Sequence, residues 1–236
     1  VFLAPVLSDL AELTRGRVPA KIDYGEPVGE LPATPIMRWL TTMGGFGKAF
    51  SQAVWVPLPG ATSSLALIDA LQVLLDTHPM LRSVWRQAET LETLAPGAIA
   101  ADQCFQVVAA ESVNRDALVA ELTDQLDPTQ GRVLAACWLQ QTSTPGTLLL
   151  VAHHVAVDAV SWQILESDLL TLLEAQRTGA SMPPLAQSTS FRHWARQLVA
   201  NSSDFHSEIA LWRWHGARPV QPYFSVLLDA TRDRGD

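Results

Sequence analysis

Cysteine is scarce: only Cys104 and Cys137 occur, each inside an apolar run and neither in a CxxC pair. That argues against a disulfide framework or a zinc site and reads instead as two buried free thiols in a reducing compartment. Basic charge is scarce too. Sixteen Lys plus Arg stand against twenty-four Asp plus Glu, a net charge of −8, with no basic cluster interleaved with aromatics, so a nucleic-acid footprint is not expected. Apolar runs such as Leu148 to Ala152 are far too short to span a bilayer, and the N-terminus has no basic segment leading into an apolar one. The expected protein is soluble and cytoplasmic, partnered by neither nucleic acid nor membrane.

What is plentiful is apolar side chain. Of 236 residues, 48% are hydrophobic and only 17% charged, enough to bury a sizeable core as one domain or one large lobe and incompatible with a disordered or fibrous chain. The start at Val1 and the polar stretch from Asp229 to Asp236 read as an excerpt from something longer.

Val6, Leu7, Leu10 and Leu13 fall at helical spacing, with Gly16 placed to cap that short helix. After a loop, Thr34 and Pro35 suit the N-cap and first position of a helix presenting Ile36, Trp39 and Leu40 on one face. Gln52 to Leu58 alternates as a strand, stopped by Pro57 and Pro59. Leu67, Ile68, Leu71, Leu74 and Leu75 describe an amphipathic helix over 63–77 with a Ser cap, closed by His78-Pro79. Residues 81–86, 104–109 and 133–140 read as strands and 114–126 as a helix. Thr147 to Ala152 is a near-continuous apolar run suited to a central strand buried on both faces, followed by a helix over 160–177. Helices over 191–200 and 207–214 complete a mixed order of α and β.

The chemistry-bearing stretch stands at the end of that buried strand: His153-His154-Val-Ala-Val-Asp158-Ala159-Val-Ser161-Trp162. Successive strand side chains point to opposite faces, so the two histidines cannot both line one cavity while the strand continues. One is expected to be structural and the other available, as a neutral imidazole suited to general-base work. Asp158, where chain reverses into helix, is better placed to hold the loop. Taken alone, the pair also fits a packed core histidine beside a surface one. His154 and Asp158 are metal-ligand types as well, but a zinc site needs three or four ligands and no third cluster stands at useful spacing.

This stretch resembles the HHxxxDG signature of the nonribosomal peptide synthetase condensation superfamily, and other segments agree with it in order. Leu31 to Leu40 resembles the opening motif, His78-Pro-Met-Leu-Arg-Ser-Val-Trp85 the "H-x-x-L-R-x-x-F" segment, and Leu126-Asp127 with Gly131 to Ala136 the "LDLxxGPLLRA" strand entry. The match runs from about residue 30 to 215. Within the superfamily, Thr34-Pro-Ile with Trp39, Asp158-Ala-Val-Ser-Trp162, and Ser190-Phe-Arg-His-Trp194 are similar to the "LTPIQxWF", "DGVSW" and "SFKxW" segments of epimerization domains. One position departs. Ala159 stands where the pattern has Gly, which would cost stability if that site required positive φ.

The resemblance implies an α/β (α+β) fold, a chloramphenicol-acetyltransferase-like lobe with a mixed sheet flanked by helices. Residues 1–30 would be an N-terminal helix and linker, and 31–236 the N-terminal lobe of a condensation or epimerization domain whose second lobe lies outside this chain. It implies removal and return of the Cα proton of an aminoacyl or peptidyl thioester, with His154 as catalytic base and a glutamate of the second lobe opposite. His153, Asp158 and Arg82 would be structural, Arg82 pairing with Asp158, while Ser161 and Trp162 are candidates for the substrate channel. No metal or directly bound cofactor is implied, since the substrate arrives on the 4′-phosphopantetheine arm of a carrier protein. Partners would be a peptidyl carrier protein, neighbouring synthetase domains and the second lobe. Acyl transfer forming an amide is the alternative chemistry, and a non-catalytic carrier-docking scaffold the alternative class. Trp85, Trp138, Trp162, Trp194, Trp212 and Trp214 are expected in the core or in packing between lobes.

Overall fold

The computed structural model describes residues 24–42, 50–87, 90–110, 113–141, 145–186 and 188–218, with isolated positions 6 and 8. The helix expected over 5–15 and the tail from 229 lie outside the described residues.

Four strands form the main sheet in the order β2-β7-β6-β5, where β2 is Ser51–Pro57, β5 Phe105–Ala109, β6 Leu134–Gln140 and β7 Thr147–His153. β7 is antiparallel to both β2 and β6, while β6 and β5 run parallel, so the sheet is mixed. The period-two alternation decides the layers. Leu148, Leu150 and Ala152 enter a core closed by α2 (Ser64–Thr77) and α4 (Ala159–Thr178); Leu149 and Val151 enter a second core closed by α3 (Arg115–Gln125) on the opposite face. A central strand buried on both faces must read as a continuous apolar run, and β7 does.

Helix ends follow their capping residues. Ser63 Oγ accepts from the Ala66 N–H and Asn114 Oδ1 from the Ala117 N–H, while Gly179 at φ 70° closes α4. His78-Pro79 stops α2 as expected and opens a 3-10 turn, Pro79–Arg82, so the following strand, β3, starts only at Ser83 and runs to Gln87.

A second sheet was not legible in the sequence. β1 (Gly29–Pro32), β4 (Thr90–Thr93) and β3 pair antiparallel in the order β1-β4-β3 over a small core of Leu31, Trp85, Leu91, Val133 and Val155. The four-residue strands are too short to show a period. α5 (Phe191–Ala200) is clamped to the segment before β1: Arg192 donates to the Glu26 and Glu30 carbonyls, and the Ser190 N–H to Tyr24 O.

The expected face of α1 (Pro35–Thr42) is corrected. Met37 and Leu40 are buried, whereas Ile36 and Trp39 are 64% and 52% exposed, because one turn of packing on the small core takes only an i, i+3 pair. Thr34 also does not cap with its side chain. Of the tryptophans, Trp85, Trp138 and Trp162 are buried, while Trp194 on α5 and Trp212 and Trp214 on α6 (Ile209–Gly216) stand about half exposed. Both cysteines are free, but only Cys137 is buried; Cys104 is partly exposed. Burial pushes the Cys137 thiol up to about 11. No helix among the described residues is long and apolar enough to cross a membrane.

Candidate active site

β7 ends at His153, and the chain turns through 154–156 before α4 begins at Ala159. His153 is fully buried, its N–H donating to Val133 O while its Nδ1 accepts from the Val155 N–H at 3.2 Å. It ties the end of the strand to the turn that follows. His154 is partly exposed and lines a cavity of about 980 Å3. Its ring stacks on Phe50, centroids 5.0 Å apart, and its backbone N–H donates to Phe50 O, so the residue before β2 holds His154 from one side.

The other side fixes the tautomer. His154 Nδ1 lies 2.6 Å from the carbonyl oxygen of Val157, which can only accept, so the proton of the neutral ring sits on Nδ1 and Nε2 carries the lone pair. An imidazole held in this way is a base whose accepting atom needs no rearrangement before use.

Asp158 and Arg82 do not pair. Asp158 is exposed and serves as the N-cap of α4, its Oδ1 accepting from the Ser161 N–H and hydroxyl, both at 2.7 Å. The Ser161 N–H, then its hydroxyl, hold the carboxyl below its ordinary value of 3.8, with smaller help from the Val160 N–H and His154. Arg82 is 1% exposed and donates to the carbonyls of Leu75, in the last turn of α2, and Leu94. Burial pulls its guanidinium down from its ordinary value, countered by Asp76. Each charge has its own helix terminus, the carboxylate at an N-terminus and the guanidinium at a C-terminus, which is the pairing the helix dipoles favour. The expected salt bridge is thereby replaced.

Ser161 lines the cavity, with its hydroxyl committed to Asp158. Trp162 does not. It is 8% exposed, packs in the main core and donates from Nε1 to Gln52 Oε1 at 3.0 Å. Helical geometry turns it about 100° away from its neighbour, toward the sheet. Ala159 lacks positive φ and stands exposed as the first residue of α4 without lining the cavity, so the methyl there is unstrained. Among the described residues no three His, Cys, Asp or Glu gather as a metal site.

Three groups on the site were not expected there from the sequence. Phe50 reaches His154 only through the β2 and β7 register, which sets Ser51 opposite His153. His78 lines the same cavity and bonds from Nε2 to Oδ2 of Asp168 in α4 at 2.9 Å, a partner 90 positions away. Burial lowers the His78 pKa from 6.5, outweighing the attraction of Asp168, which raises it. Thr34, expected only as a cap, is buried on the cavity wall, and its hydroxyl has no hydrogen-bond partner among the described residues.

A two-face mixed sheet with a histidine at the exit of its central strand, opening on a cavity, defines a chloramphenicol-acetyltransferase-like lobe. The chain belongs to the condensation domain family, whose model matches residues 29–234. It is 31% identical over 202 residues to one of the linear gramicidin synthase proteins of Brevibacillus parabrevis, covering 80% of this chain and 3% of that protein. It is 31% identical over 247 residues to surfactin synthase subunit 1 of Bacillus subtilis (strain 168), covering 100% of this chain and 7% of that one. Among solved structures, the epimerization domain from the third module of tyrocidine synthetase B superposes with a TM-score of 0.68 at 24% identity, covering 84% of this chain and 47% of that chain. The chain thus spans a small part of these curated relatives and about half of the solved domain.

Proposed function

We propose that this chain is the base-carrying lobe of a nonribosomal peptide synthetase epimerization domain, inverting the Cα of an aminoacyl or peptidyl thioester on a phosphopantetheine carrier. The observation that supports it most is His154, with Nδ1 committed to Val157 O and Nε2 left as the accepting atom beside a cavity large enough for a thioester-tethered residue. A thioester acidifies its Cα proton by delocalising the carbanion into an enolate, but the proton must meet a base held in place. On this reading His154 takes or returns the proton on one face, and a glutamate from a second lobe serves the other. The three epimerization-like segments support this reading beside acyl transfer.

Condensation is the second reading, favoured by the family model itself. There His154 would assist an amine attacking the thioester carbonyl. The two separate in one experiment on the native polypeptide that carries this sequence, supplied with loaded carrier protein in deuterium oxide. Deuterium appearing at Cα by mass spectrometry, lost in His154→Ala, is the expected result. Amide formation between two loaded carriers with no exchange would assign condensation instead.

A further inference from the structure

The cavity wall offers two polar groups that neither the fold nor the base uses. The first is His78. The Asp168 carboxylate beside it only accepts, so the shared proton sits on His78 Nε2 and donates at 2.9 Å; burial lowers the ring's pKa from 6.5 and favours its neutral form. In that tautomer Nδ1 is an acceptor. The side chain is 22% exposed and His78 lines the cavity. The second is Thr34, 5% exposed, whose hydroxyl is buried with no partner among the described residues. A buried hydroxyl without a partner is costly to keep, and a ligand that accepts from it would remove that cost. The apolar side chains of Met37, Leu40, Leu165 and Leu185 line the same cavity, so a ligand that fits is mainly apolar with few polar contacts.

We infer that His78 and Thr34 are positioning residues for a secondary amide of the carrier-bound substrate, His78 Nδ1 accepting the amide N–H and the Thr34 hydroxyl donating to a ligand carbonyl. This rests on the reading of the cavity as a chamber for a carrier-tethered acyl group. Two sources supply that chemistry: the amides of the pantetheine arm and the peptide bond of a peptidyl substrate. Asp168 acts through His78, by fixing which nitrogen is the acceptor.

The test is ligand titration of the native polypeptide that carries this sequence, followed by two-bond 1H–15N spectra of the histidine rings. The probes are pantetheine and N-acetylalanine methylamide, each beside a counterpart with ester oxygen in place of amide N–H. One probe should bind with an amide-over-ester preference of about fivefold, the size of one neutral hydrogen bond, and shift the His78 Nδ1 signal; which probe does so names the source. The preference should vanish in His78→Phe and in Asp168→Lys, whose ammonium can only donate to Nε2 and so turns Nδ1 into a donor, and persist in His154→Ala. Thr34→Val should weaken amide and ester probes alike. Should His78→Phe fail to fold, Asp168→Lys alone carries the test. A preference that survives Asp168→Lys, or equal binding of amide and ester, overturns the inference while leaving the carrier reading in place. Failure of every probe to bind overturns both.

Discussion

Separating Arg82 from Asp158 makes a quantitative claim about the double-mutant cycle. Arg82→Met keeps the length and apolar stem of the side chain but removes the donors to the Leu75 and Leu94 carbonyls. Charge-assisted hydrogen bonds contribute about 1.5–3 kcal/mol each, and relief of the buried charge's desolvation, visible in its lowered pKa, returns part of that, leaving a cost of about 2–4 kcal/mol. Asp158→Ala removes only an exposed N-cap, a loss of about 1 kcal/mol. The two side chains share no partner, so the double variant should cost the sum within about 0.5 kcal/mol. Urea unfolding followed by tryptophan fluorescence measures all four corners. A coupling energy above about 1 kcal/mol would mean that the two charges meet after all, since breaking a buried pair from either side strands the other charge.

The two histidines should behave oppositely. His153→Ala loses a fully buried hydrogen bond and lowers stability by about 1–3 kcal/mol in the same urea assay, whereas His154→Ala loses a ring stack and one carbonyl contact, costs about 1 kcal/mol, and abolishes Cα exchange. Ala159→Gly should lower stability by no more than about 1 kcal/mol, the helix propensity difference, and leave the exchange rate unchanged, because the alanine is unstrained. His78 carries a pH signature. Its folded pKa lies below the 6.5 of the unfolded chain, so the unfolded state takes up the proton first; stability is full above pH 6.5 and declines as pH falls through the folded value. A thermal melt series from pH 8 to 5 should show a steeper decline in the native chain than in His78→Phe.

Sequence by itself determined the main sheet and its helices, because each strand and helix there obeys a period set by burial. The run from Leu148 to Ala152 could only be a strand covered on both faces, and Ser63 and Asn114 marked helix starts that hydrogen bonding requires. It also marked the two histidines as unlike, but β7 ends at His153, so the turn that follows and not strand alternation places His154. Tertiary structure alone decided who meets whom. The register of β2 against β7 brings Phe50 over His154, the packing of α2 on α4 brings Asp168 to His78, and the short strands β1 and β4 carry too few residues for any period to show. Arg82 and Asp158 illustrate the reason most sharply: opposite charges in a sequence invite a pair, but in the fold each lies closer to a helix terminus that satisfies it, and local backbone dipoles answer the charge before a distant side chain can.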